Sequence, residues 1–216
     1  MSGLFLSFEG GEASGKSVQA KRLADWLRDA GHDVVALREP GSTPVGERVR
    51  EIVLHAKELP LAANTAALLY STARAQLVQD VIRPALDAGK VVIVDRFFDS
   101  TLAYQGYGHG ADLEQLRAVT AFAVGDTRPQ RTFLLDLPVE AAAARHASRT
   151  SGRPWDRFES EAAAFHERVR QGYLRLAAAE PARFAVIAAD RDEDAVAADI
   201  RREVAALLPA TTLTPP

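Results

Sequence analysis

The sequence contains no cysteine. That excludes disulfides and thiolate-bound metals, and it suits a reducing compartment. No stretch approaches 18 consecutive apolar residues, so no membrane-spanning helix is expected. The run Leu4–Phe8 is too short for the hydrophobic region of a signal peptide, and we expect a soluble cytoplasmic protein. Neither charge dominates. The 26 Lys and Arg stand against 29 Asp and Glu, a formal net charge of -3, so composition gives no argument for a nucleic-acid polymer as partner.

What is present is enough apolar material, 47% of 216 residues, for one domain with a sizeable core. Strand-like and helix-like segments alternate. Phe5–Phe8, Asp33–Leu37, Val91–Val94, Arg131–Leu137 and Phe184–Ala188 read as strands. Helices are expected over Lys16–Ala30, Val45–His55, a long span capped by Asn64 or Thr65 and reaching Asp87, Asp112–Val124, Val139–Ser148, Phe158–Ala179 and Asp194–Leu208. Pro84 is expected to kink the long one. The pattern predicts an α/β fold: a five-stranded parallel sheet with helices on both faces, in a single domain over 1–208. A frayed tail follows over 209–216. Ligands of such sheets bind beyond the carboxyl ends of the strands. Three polar motifs follow strands here: the glycine loop, "REPGST" and "DRFFDS".

The first of these, Gly10-x-x-x-x-Gly15-Lys16-Ser17, fits the phosphate-loop pattern between a strand and a helix. Gly10, Gly11, Glu12, Ala13, Ser14 and Gly15 turn backbone N–H groups toward phosphate oxygens, and the helix start adds its positive end. Lys16 is expected on the β and γ phosphates and Ser17 on Mg²⁺. The motif gives nucleotide binding, not the reaction. A GTPase would need an Asn-Lys-x-Asp guanine reader, and the single Asn, Asn64, is followed by Thr65.

Asp95 and Arg96 end the Val91–Val94 strand. A carboxylate there can hold Mg²⁺, directly or through water, and an arginine can clamp phosphoryl oxygens. Arg38 and Glu39 end the second strand before a Pro40-Gly41 turn, and read alone as a surface ion pair. Tyr70 and Arg74 share a helix face. Alone they read as a core tyrosine beside a surface arginine, and a base reader is the sharper alternative. Ser100–Gly106 carries hydroxyls, an amide and a phenol, and suits either a small polar ligand or a solvated loop. Arg145, Arg149, Arg153 and Arg157 recur every four residues across Gly152 and Pro154. That pattern predicts a mobile basic lid over about 149–159, able to place charge over a transferring phosphoryl group.

Taken together, "FEGGEASGKS", "REPGST", "LLYSTARAQ", "VDRFFDSTLAYQG" and "RPWDRFE", in this order from Leu4 to about Leu208, resemble the bacterial thymidylate kinase family. The resemblance implies a nucleoside-monophosphate-kinase fold that forms homodimers. It implies transfer of the γ-phosphoryl of ATP to dTMP with Mg²⁺, giving ADP and dTDP, a step toward dTTP. It implies Lys16 and Ser17 on ATP and Mg²⁺, with Asp95 near the metal through water. Arg96 would bridge donor and acceptor phosphates, and Arg38 would orient the dTMP phosphate. Tyr70 would stack on thymine, where the family often has Phe. Arg74, Thr101 and Gln105 would meet the base edge, Tyr104 would pack where a ribose 2′-OH would sit, and Glu39 and Arg50 would line the pocket. Glu12 would face the acceptor side, holding an arginine or the sugar. Ser42 stands where Gly is more usual, and Val18 follows Ser17 where a second hydroxyl is common. Some members carry a catalytic Arg at the place of Ala13. With Ala13 here, the resemblance points to the lid for that charge, first to Arg153, with Arg149 and Arg157 in reserve. Two other readings stay open: a kinase for another nucleotide or nucleoside, and a P-loop protein acting as a sensor or switch.

Overall fold

A computed structural model of the protein describes residues 3–56, 58–149 and 161–208. The elements run β1 (Leu4–Glu9), α1 (Lys16–Asp29), β2 (Val34–Arg38), α2 (Pro44–Arg50), α3 (Ala63–Leu77), α4 (Arg83–Asp87), β3 (Val91–Asp95), α5 (Phe98–Thr101), α6 (Leu113–Val124), β4 (Arg131–Asp136), α7 (Val139–Arg149), α8 (Ala163–Ala179), β5 (Phe184–Ala188) and α9 (Glu193–Ala205). All strand pairings are parallel, in the order β2-β3-β1-β4-β5.

The period of two expected of strands divides the core. Phe5, Val92 and Val94 face α3, α6 and α8, whereas Leu6, Phe8, Val91 and Ile93 face α1 and α9. Both faces are therefore buried, which is why β1 and β3 read as continuous apolar runs. Each fully buried Leu, Ile or Phe here contributes about 1.5–3 kcal/mol relative to exposure. One buried polar pair interrupts the apolar layer: Ser7 and Thr132 share a hydrogen bond of 2.8 Å between β1 and β4.

The helices depart from the sequence expectation most in four places, and α9 ends at Ala205 rather than Leu208. Neither Asn64 nor Thr65 caps α3. The cap is Ala62, extended, whose carbonyl accepts the N–H of Ala66 at 3.0 Å. The long helix is not one α-helix to Asp87. It widens into a π-helical turn over Val78–Ile82 just before Pro84, at the place where a proline would otherwise clash with the preceding turn. A second wide turn, Glu51–His55, continues α2, so that expected helix is α only to Arg50. Finally, α8 begins at Ala163, and Glu161 and Ala162 are not helical. The expected start of that helix at Phe158, the lid residues Arg153 and Arg157, and the tail 209–216 lie outside the described residues. Arg149 ends α7, and its side chain lies outside them as well.

The Ser100–Gly106 stretch is not a solvated loop. It forms α5 and a third wide turn, Leu102–Gly108, whose Leu102, Ala103, Tyr104, Gln105 and Gly106 are all buried. Helix α8 lies directly on it. A Cβ at Gly108 would meet Phe165 at 2.6 Å, and one at Gly172 would meet Tyr107 at 2.6 Å. Among the described residues, no helix is long and apolar enough to cross a membrane.

Candidate active site

The carboxyl ends of β1, β2 and β3 open onto one cleft of about 380 Å³. One end of it is the loop between β1 and α1. Gly10 has φ of 141°, and a Cβ there would stand 2.5 Å from the Leu135 carbonyl, so only glycine fits. Gly15 caps α1 in the left-handed conformation, and Ala13 also has positive φ, 53°. These turns leave the α1 N-terminus open toward the cleft. The Lys16 ammonium lies across the loop, donating to the Gly11 carbonyl at 2.6 Å and to Ser14 Oγ at 3.4 Å. Burial pushes the Lys16 amine down, and the Arg96 guanidinium adds to this. Glu12 and Asp95 only partly offset them, and the amine settles at about 8.

Ser17 Oγ donates a short hydrogen bond to Asp95 Oδ2. A hydroxyl and a carboxylate side by side next to a phosphate loop form the hard-oxygen donor set that suits Mg²⁺, which takes one or two protein oxygens and fills its shell with phosphate and water. Among the described residues there is no cluster of three or more His, Cys, Asp or Glu side chains that would hold a metal ion by itself.

Arg96 occupies the junction between the two ends of the cleft. It follows β3 with φ of 67°, and its N–H donates to the Phe8 carbonyl at 2.9 Å. Its Nη2 donates to Glu12 Oε1 at 2.8 Å and to the Tyr104 hydroxyl at 3.1 Å, and its Nη1 to the Gly10 carbonyl at 3.2 Å. The guanidinium carbon also lies 5.0 Å from the centre of the Tyr104 ring. Tyr104 donates to the same Glu12 oxygen at 2.6 Å. Burial alone would raise the Glu12 carboxyl. The charges of Arg96 and Lys16, with the Tyr104 hydroxyl, outweigh it and hold Glu12 at about 2. Glu12 in a phosphate loop therefore has an arginine to hold.

At the other end of the cleft, Arg74 is only 1% exposed, so the surface-arginine reading is excluded. Its Nε donates to Glu39 Oε2 at 2.8 Å, and its Nη2 to Thr101 Oγ1 at 3.1 Å and the Phe97 carbonyl at 3.3 Å. Burial pushes Glu39 up to about 7 despite the Arg74 charge beside it. Glu39 is thus not in a surface pair with its neighbour Arg38. That pairing belongs to Glu47, which accepts from Arg38 Nη2 at 2.9 Å while both side chains stay about half exposed. Ser42, at φ of 64°, closes the turn. Its hydroxyl accepts from the Arg38 N–H at 3.0 Å and donates to the Arg38 carbonyl at 3.1 Å. Arg50 donates to the Pro40 carbonyl at 2.9 Å. Tyr70 is buried and lines the cleft, as do Thr101 and Gln105.

The cleft thus brings together Glu12, Ala13, Ser14, Gly15, Lys16, Ser17, Arg38, Glu39, Arg50, Tyr70, Arg74, Asp95, Arg96, Thr101, Tyr104 and Gln105. Sequence reading missed Glu9 and Tyr173, which hydrogen-bond at 2.8 Å beneath Arg96. A charged residue ending the apolar run before Gly10 was a signal for the first, and nothing marked the second. It also missed Pro40, Leu54 and Phe97, which supply apolar wall. A second, smaller cleft lies on the other side of the loop, lined by Gln19, Arg145, Ala189, Arg191 and Glu193. Arg145 lines that cleft, donating to the Ala189 carbonyl at 2.7 Å.

Comparison with known proteins places this geometry. The family model described as thymidylate kinase matches residues 8–200. A thymidylate kinase of Clavibacter michiganensis subsp. michiganensis is 48% identical over 211 residues, covering 97% of this chain and 98% of the relative. One of Geobacter sulfurreducens is 50% identical over 188 residues, 86% and 88% of the two chains. The crystal structure of thymidylate kinase from Ehrlichia chaffeensis superposes with a TM-score of 0.76 at 30% identity, covering 94% of this chain and 99% of that one. The chain belongs to the thymidylate kinase family.

Proposed function

We propose that the protein transfers the γ-phosphoryl group of ATP to dTMP, giving ADP and dTDP. One observation carries the choice of acceptor. Three buried side chains at the acceptor end each keep a polar atom unpaired among the described residues: Arg74 Nη1, Gln105 Nε2 and Glu39 Oε1. Two donors and an acceptor complement a thymine edge, where one N–H lies between two carbonyls. Cytosine calls for the same two donors and one acceptor in another order, and membership of the thymidylate kinase family favours thymine.

The loop N–H groups, the α1 N-terminus and Lys16 hold the donor phosphates. We assign the donor base to the small cleft lined by Arg145 and Arg191 beside the loop. Ser17 and Asp95 would hold Mg²⁺, which when bound supplies charge neutralisation at the phosphate oxygens. Arg96, fixed by Glu12, Tyr104 and Gly10, bridges the two phosphates, and Arg38 orients the acceptor phosphate from the pocket rim. The dTMP phosphate oxygen is already nucleophilic near pH 7, so positioning and charge suffice and no strong base is required. Tyr70 stacks on the base, Thr101 and Gln105 meet its edge, and Tyr104 sits beside the sugar. With an uncharged Ala13 in the loop, the remaining positive charge falls to the basic segment, first to Arg153, then Arg149 and Arg157.

The same reading makes the protein a cytoplasmic homodimer. The dimer is supported by Phe122 on α6, 94% exposed, and Leu68 on α3, 55% exposed, on two helices that pack side by side. ADP release measured across dTMP, dUMP, dCMP, AMP and thymidine tests the proposal. The highest turnover is expected with dTMP. Faster turnover with dCMP or AMP would assign the site to another acceptor, and ATP hydrolysis independent of any acceptor would favour a switch.

A further inference from the structure

Arg96 is held by groups that themselves need holding. Its Nη1 donates to Ser100 Oγ at 3.3 Å and to the Tyr173 hydroxyl at 3.4 Å. A hydroxyl that accepts from an arginine keeps its own proton for a second acceptor. Both hydroxyls find the same one, Glu9 Oε2, at 2.6 Å from Ser100 and 2.8 Å from Tyr173. The other oxygen, Glu9 Oε1, accepts the N–H of Phe97 at 2.7 Å, one residue beyond Arg96. Glu9 is therefore joined to Arg96 from two sides, through its guanidinium and through the backbone that follows its left-handed turn.

Ser100 and Tyr173 also lie 2.8 Å from each other, and with the Phe97 N–H they place up to three donors on the two Glu9 oxygens, a set that an ionised carboxylate can accept in full. A Gln side chain of equal length offers one acceptor oxygen, and its NH₂ group would face either the Phe97 N–H or the two hydroxyls, a donor against donors. Glu9 is completely buried, and burial, then Asp99, push its carboxyl up to about 7 against the donors that favour its ionised form. A strand end would not need this residue for packing. Its contacts make sense as the base of a scaffold that carries Arg96.

We propose that Glu9 is a positioning residue for phosphoryl transfer, acting through Ser100, Tyr173 and the Phe97 N–H to hold the Arg96 fork between the two phosphates. The proposal rests on the kinase reading given above. Its test is a double-substitution cycle, run with whichever monophosphate the wild-type protein phosphorylates best, so that an error in the acceptor does not touch it.

Glu9→Gln is expected to lower kcat about 100-fold, the loss typical of a misplaced catalytic group, with KM for ATP within about threefold of wild type. In an Arg96→Ala background the same substitution is expected to add less than about threefold, because the group it positions is gone. If Glu9→Gln does not fold, Tyr173→Phe takes its place in the cycle, with a smaller loss and the same non-additivity. A full loss persisting in the Arg96→Ala background would make Glu9 a general structural residue and overturn the proposal. So would Glu9→Gln turnover within threefold of wild type. A wild-type protein that phosphorylates no monophosphate would overturn both this proposal and the kinase reading, whereas preference for a monophosphate other than dTMP would overturn the acceptor assignment alone.

Discussion

At the donor end of the cleft, one continuous stretch, Gly10–Gly15, presents backbone N–H groups and a helix terminus. At the acceptor end, Glu39, Tyr70, Arg74, Thr101 and Gln105 arrive from the end of β2, from α3, from α5 and from the wide turn after it. The first surface is built from atoms every residue has. The second is built from side chains buried on both sides, with charges kept in a low-dielectric wall. Backbone recognition serves any nucleotide, and the choice of acceptor has to come from the side-chain end. The two ends should therefore fail differently when altered.

The largest effect is expected from Lys16→Ala. Removing the ammonium from the transferring group should lower kcat about 1000-fold, roughly 4 kcal/mol of barrier. Acceptor affinity, measured by calorimetry with dTMP alone, should stay within threefold. A comparable loss of dTMP affinity would break the separation of the two ends.

Arg74→Met should do the reverse, costing fold as well as function. It leaves Glu39 buried without its partner, and about 3 kcal/mol of stability should be lost in denaturant unfolding, the low end for a broken buried pair because Glu39 can take up a proton. By contrast, Arg38→Met at the exposed Arg38–Glu47 pair should cost no more than about 1 kcal/mol. Equal losses at the two sites would show that burial does not distinguish them.

A further effect is a matter of pH. The Glu39 carboxyl has an ordinary value of 4.5 and sits at about 7 in the fold. Between these values the folded protein binds the extra proton, so its stability declines as pH rises through that window. The Gln in Glu39→Gln does not titrate. The Tm difference should therefore shift in favour of the variant from pH 5 to 7 and level off above 8. Parallel Tm curves across that range would mean that Glu39 is not perturbed.

The same contrast explains what the sequence disclosed. The sheet was legible because Val91–Val94 and Leu4–Phe8 alternate between two apolar layers, a local pattern with one structural solution. The phosphate loop was legible because its function lies in spacing. Arg74 was not legible from its neighbours. Tyr70 and Arg74 four apart describe any helix face, and the base-reader alternative gained weight over the surface arginine only with the resemblance to a family. Glu39 carried the wrong partner for the same reason: adjacency to Arg38 suggests a pair, while the strand's period of two sends the side chains opposite ways, one to solvent and one to Arg74. The cap misread at Asn64 and the wide turn just before Pro84 show tertiary packing overriding residue preference.

Where α8 meets the Leu102–Gly108 turn, the glycines at 108 and 172 leave no clearance, and each backbone is keyed into the other's rings. A keyed joint cannot slip. Helix α8 cannot slide over this turn without carrying Tyr104 and Gln105 along, since a close-packed contact transmits displacement rather than absorbing it. Floor and helix form one solid block, and any narrowing of the cleft around its ligands is a movement of other walls toward that block.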